Sequence, residues 1–130
     1  MKKSFGLILS SLLFLVSCGS QEDPAVLAAS TAKGYYDLLL EGKCGEFVDG
    51  TYRQDSIPES YREQLVANME MYVQQQKDEH QGIKNVRIID AKADTTIHAA
   101  TVYLVLSFGD GSDEEVVVPM VQTKGKWKMK

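Results

Sequence analysis

The chain has 130 residues, with 14 basic and 18 acidic side chains and a net charge of −4 at neutral pH. That length suits one domain with one core, and the acidic balance argues against a nucleic-acid partner. No run of lysine and arginine interleaved with aromatics offsets it, because Lys124, Lys126, Lys128 and Lys130 form only a small cluster at strand spacing.

Lys2 and Lys3, the uncharged stretch Phe5 to Val16 and the small residues before Cys18 have the form of a secretory signal. A membrane-crossing helix needs about 20 apolar residues, and the following Gly19-Ser20-Gln21-Glu22-Asp23-Pro24 would not enter hydrocarbon. Cleavage before Cys18 removes 17 residues and leaves 113, with 12 basic and 18 acidic side chains and a net charge near −6. The expected organisation is a signal peptide at 1–17, a lipidated tether at 18–23 and a single domain over 24–130.

Leu15-Val16-Ser17-Cys18 resembles the lipobox of bacterial lipoproteins. The resemblance implies that Cys18 is acylated through its sulfur, that the signal is removed before it, and that its new amino group receives a further acyl chain. Each buried methylene contributes about 0.8 kcal/mol, so two or more chains hold a soluble domain on a membrane where one chain does not. Gly19 replaces the aspartate of the inner-membrane retention signal of enteric lipoproteins, which implies an outer-membrane lipid anchor, facing either the periplasm or the cell surface. Ser20-Gln21-Glu22-Asp23 also resembles the acidic tether of some surface lipoproteins of gut-type Gram-negative bacteria, although the same residues serve equally as a solvated linker and helix cap.

Asp23-Pro24 is a helix start, since the aspartate accepts free N–H groups and proline fits the first turn. Val26 or Leu27, Ala32, Tyr35, Tyr36, Leu39 and Leu40 then recur at helical spacing, which predicts a helix from Pro24 to about Glu41, stopped by Gly42. Phe47, Val48 and Tyr52 predict a short helical turn between Gly45 and Gly50. Ser56-Ile57-Pro58-Glu59 has the spacing of a capping box, and Tyr61, Leu65, Met69, Tyr72 and Val73 form an apolar stripe, so a long helix is expected from Ile57 to about His80, ended by Gly82.

The period then changes from near four to two. Ile83 to Ala91, Ile97 to Phe108, Glu114 to Gln122 and Lys126 to Met129 read as strands separated by Asp94-Thr95, Gly109-Asp110-Gly111-Ser112 and Lys124-Gly125, which predicts a four-stranded antiparallel meander. In the second strand His98, Ala100, Val102, Leu104, Leu106 and Phe108 share one face, expected to meet the helices and Trp127; Ile97, Thr101, Tyr103, Val105 and Ser107 share the other.

With Cys18 acylated, Cys44 has no partner in the chain, which excludes a disulfide framework and favours burial as a small hydrophobe.

The order helix, short helix, long helix, four antiparallel strands resembles the cone-shaped α+β fold named after nuclear transport factor 2. Gly42-Lys43-Cys44-Gly45-Glu46-Phe47, Gly109-Asp110-Gly111 and Gly125-Lys126-Trp127-Lys128 resemble small bacterial lipoproteins with a domain of unknown function of that fold, also called lumazine-binding-like or cystatin-like. In enzymes of this fold an inward Asp, His or Tyr in a pocket between sheet and helices acts as base or donor. The resemblance therefore makes Tyr35, Tyr61, Tyr72, His98 and Asp37 the residues to examine, with His98 the sharpest.

Against catalysis, the tyrosines lie on apolar stripes and the aspartates at 90, 94, 110 and 113 lie in turns. No metal spacing, cofactor motif or nucleophile elbow occurs in the sequence. The expected function is a membrane-anchored, non-catalytic module that binds a small hydrophobic ligand or an envelope protein, with a homodimer through Tyr103 and Val105 as an accompaniment. The alternative is a small hydrolase, isomerase or dehydratase using His98 and a pocket tyrosine.

Overall fold

The computed structural model describes residues 23–53 and 57–130. The expected signal peptide, Cys18, the tether up to Glu22 and Ser56 lie outside the described residues. Helices α1 (Pro24–Leu40), α2 (Cys44–Asp49) and α3 (Glu59–His80) precede strands β1 (Ile83–Asp94), β2 (Ala99–Phe108), β3 (Asp113–Thr123) and β4 (Lys126–Met129). The strands lie side by side in chain order and every neighbouring pair is antiparallel, so the fold is the expected α+β meander with its helices on one face.

α1 begins as its sequence dictates: the Asp23 carboxylate accepts the Ala25 N–H at 2.9 Å, and Pro24 occupies the first turn. It ends where Gly42 takes φ 81 and the Gly42 and Lys43 amides turn back to the carbonyls of Leu39 and Leu38. α3 departs from expectation at its start. Pro58, at φ −59 and ψ 148, is the capping residue, no side chain among the described residues caps the helix, and Glu59 is its first residue. The expected capping box would have made Ile57 helical, yet a residue before proline is pushed out of the helical region. The helix therefore waits until the proline has passed.

β1 runs past Ala91 to Asp94 and carries a bulge at Ile89, between the pairs Ile88↔Leu104 and Asp90↔Tyr103. β2 begins at Ala99, later than Ile97, because residues 95–98 form the turn. There the Asp94 carboxylate accepts the Thr96 N–H at 3.0 Å, and His98 has a left-handed φ of 53. The facing expected for the rest of β2 holds: Ala100, Val102, Leu104, Leu106 and Phe108 are buried.

α1 lies mainly across β1 and β2, and Ala28, Ala29 and Ala32 bring its backbone close to the sheet. Val86, Val118, Met120 and Met129 complete the aliphatic layer. Trp127, only 3% exposed, packs on the α1 side as expected, and the Tyr35 hydroxyl donates to its carbonyl oxygen at 3.0 Å. α3 is embedded less deeply: Val66, Met69, Tyr72 and Val73 are partly buried against the core, and Gln76 is its one buried residue. Arg62 ties α3 to α2 through both Asp49 carboxylate oxygens, at 2.8 and 3.0 Å. At the other end His80 Nδ1 lies 2.8 Å from Asp110 Oδ2, fastening α3 to the β2–β3 hairpin.

Candidate functional site

The residues expected to share a pocket are dispersed. His98 is exposed in the β1–β2 turn and does not stand on the inner sheet face, because the turn capped by Asp94 holds residues 95–98 out of the strand. Tyr61 is 53% exposed, since the first turns of α3 extend beyond the core and the covered stripe starts later, near Leu65 and Val66. Tyr35 is a strut, with its hydroxyl committed to Trp127 and its ring against Gly50. Asp37 pairs with Lys33 at 2.8 Å along the same helix. Only Tyr72 enters a group of converging polar side chains.

That group centres on Tyr36, which sequence periodicity marks only as part of an apolar stripe. Its ring meets Phe47 edge to face, with centroids 5.3 Å apart and planes at 86°. Burial pushes the Tyr36 phenol up to about 12, with the Tyr72 phenol and the Glu114 carboxylate adding to the effect. Burial, then Glu114, likewise raises Tyr72. Cys44, buried as expected at the start of α2, is raised by burial and by Glu70. The corner thus holds two phenols in their neutral forms, which suits donation of hydrogen bonds, and the raised Cys44 thiol opposes nucleophilic attack by a thiolate. Neighbouring tyrosines on a helix point about 100° apart, so Tyr35 and Tyr36 necessarily face different surroundings. What distinguishes Tyr36 is Glu114, delivered by a distant strand, and no local pattern carries that signal.

Two grooves flank α1. At its C-terminal end Leu39, Leu40, Val73 and Ile83 form a partly apolar floor beneath Lys77 and Lys84, enclosing about 330 Å³. At its N-terminal end Val26 and Ala29 face Ile88, Ile89 and Ala91 across about 400 Å³ with a mainly apolar lining. Both lie in the size range of small-ligand pockets. A third, smaller groove of about 260 Å³ runs between Leu27, Thr31 and Tyr35 and the β4 residues Lys126 and Trp127. The Trp127 indole N–H has no hydrogen-bond partner among the described residues. Among these residues no cluster of three or more His, Cys, Asp or Glu side chains could hold a metal ion, and no helix is long and apolar enough to cross a membrane.

No family model matches the chain, and no curated protein matches it. Among solved structures it is similar to a "putative NTF2-like transpeptidase" from Campylobacter jejuni, with a TM-score of 0.57, 14% identity, and coverage of 77% of this chain and 94% of the other. Three helices followed by a four-stranded antiparallel meander therefore define an α+β domain of the nuclear-transport-factor-2-like fold. At that identity the likeness concerns the fold alone.

Proposed function

We propose that the protein is an envelope lipoprotein, held on the outer membrane through acylated Cys18, whose domain is a non-catalytic module for a small apolar ligand or an envelope protein. The observation that carries the anchor is Leu15-Val16-Ser17-Cys18 placed after two lysines and an uncharged stretch. The packing of the domain supports the second half. Tyr36, Tyr72 and Cys44 have raised pKa values, His98 and Tyr61 are exposed, and the centre of the cone is filled by Val102, Leu104, Leu106 and Val118. General acid–base catalysis needs a titratable group oriented toward a substrate, and this constellation does not supply a favourable one. The Campylobacter protein's transpeptidase description supplies no residue role here, because fold alone does not transfer chemistry.

Ligand binding falls most naturally to the grooves flanking α1. The outer sheet face, where half-buried Tyr103 pairs with exposed Val117 across β2 and β3, is the surface by which two copies would associate; Val105, expected to share that contact, is only 9% exposed and offers little area. Cells expressing Cys18→Ala test the anchor: the variant should leave the membrane pellet while wild type remains in it, and equal retention would overturn the reading. Native mass spectrometry of the extracted protein tests the module, which should retain a co-purifying small molecule or protein.

A further inference from the structure

Ten large apolar side chains are exposed among the described residues, and five of them, Val26, Leu27, Ile88, Ile89 and Ile97, lie on the first turn of α1, the middle of β1 and the β1–β2 turn. The other five are spread over the far end of α1, the loop at Tyr52, α3 and the outer sheet. Local structure explains the concentration. The β1 bulge at Ile89 breaks the alternation that would otherwise bury every second side chain, and leaves Ile89 48% exposed. The first turn of α1 presents Val26, 54% exposed, over the same groove, and the adjoining β1–β2 turn holds Ile97 at 66%. β1 is also an edge of the sheet, so among the described residues no further strand covers this side.

The N-terminal end of α1 is also where the described chain starts. Asp23 lines the groove with Val26, Ile88 and Ile89, and four residues separate it from Cys18. The five backbone steps from Cys18 to Asp23 can reach no farther than about 17 Å. An acylated Cys18 would thus keep this end of the domain within that distance of the lipid. The local carboxylates Asp23, Asp90 and Asp94 are exposed and each accepts a backbone N–H, from Ala25, Ala91 and Thr96, so their charges must stay on the water side of this face. Lys92 and Lys126 lie on the neighbouring grooves, where their long stems can keep the charge in water or headgroups while apolar atoms go deeper.

We propose that this end is a membrane-resting face, on which the first turn of α1, the β1 bulge and the β1–β2 turn lie against the phospholipid surface with Ile89 and Ile97 in the headgroup and acyl boundary. The proposal rests on the Cys18 anchor. It adds that the lipid both tethers the domain and fixes its orientation, with α3, the Tyr36 corner and the groove under Lys77 and Lys84 held away from the bilayer. Interfacial elements bury their apolar side about 5–10 Å into that boundary, a depth within reach of exposed isoleucines.

The test uses the full chain, processed in cells and reconstituted in phosphatidylethanolamine and phosphatidylglycerol vesicles that carry a nitroxide lipid. Ile89→Cys, Ile97→Cys, Met71→Cys and Val117→Cys are each labelled with a polarity-sensitive fluorophore; Cys44 is buried and the Cys18 sulfur would be occupied. Labels at 89 and 97 should emit at shorter wavelength and lose intensity to the nitroxide, while the label at 71 does neither and the label at 117 keeps its intensity. Equal quenching at all four positions overturns the proposal and leaves the anchor standing. A blue-shifted label at 89 that the lipid nitroxide cannot quench also overturns it: a dependence on protein concentration would identify a second copy as the occupant, and its absence the protein's own acyl chain. If the protein neither floats with vesicles nor carries acyl mass, the anchor fails and the resting face falls with it.

Discussion

The Tyr35 hydroxyl donates to the Trp127 carbonyl oxygen at 3.0 Å, joining the first helix to the last strand across 92 positions of sequence. Gly50 sits beneath this contact, where an added Cβ would stand 2.5 Å from the Tyr35 ring. Tyr35→Phe should therefore cost about 0.5–1.5 kcal/mol, the net worth of one hydrogen bond. Gly50→Ala should cost about 1–3 kcal/mol, because the ring must move in a packed setting. Urea unfolding followed by circular dichroism measures both, and a neutral Gly50→Ala would show that the contact is loose.

Trp127 is the sole tryptophan and is 3% exposed, so its fluorescence should be that of a buried indole and should shift to the solvent value on unfolding. Trp127→Ala should cost about 3–5 kcal/mol, as truncation of a large core aromatic does. A folded variant of unchanged thermal midpoint would contradict the packing described.

Much of this architecture is legible in the sequence, because the signals are local and periodic. Asp23-Pro24 marks a helix start, Gly42 and Gly82 mark helix ends, and the change of period after Gly82 separates helices from sheet. The departures arise where one local rule overrides another. Proline at 58 excludes Ile57 from the helix and with it the capping box; the Asp94 turn holds Thr95–His98 back from the strand and turns His98 outward. The Tyr36 corner is illegible for a different reason. Its character depends on Glu114 and Tyr72 arriving from other elements, and that proximity belongs to the tertiary fold.

Tyr36 gives an alkaline prediction. Its folded-state value of about 12 exceeds the ordinary 10, so the neutral phenol contributes stability that is fully present below pH 10 and is lost as pH rises toward 12. Titration of phenolate absorbance should show a late step that disappears in Tyr36→Phe. If every tyrosine of the folded protein titrates near 10, the buried corner is wrong.

Asp110 gives the complementary acid prediction. Hydrogen bonds from the Ser112 side chain and backbone, and then from His80, hold its carboxyl at about 2, below the ordinary 3.8. A lowered value means that its contribution is present above 3.8 and is lost as pH falls from there toward 2. Asp49, held low chiefly by its hydrogen bond with Arg62, acts in the same direction. Thermal midpoints across this range should fall less steeply for Asp110→Asn than for wild type, and parallel curves would contradict the lowered Asp110 carboxyl.

The proposed delivery of this fold to a membrane by a lipid on Cys18 is tested by the intact mass of the protein extracted from membranes of cells expressing the full chain. The account predicts a chain beginning at Cys18 with the added mass of a thioether-linked diacylglyceryl group, and of a further acyl chain on the new amino group. A membrane-derived chain that begins elsewhere, or one that begins at Cys18 without lipid mass, would contradict it.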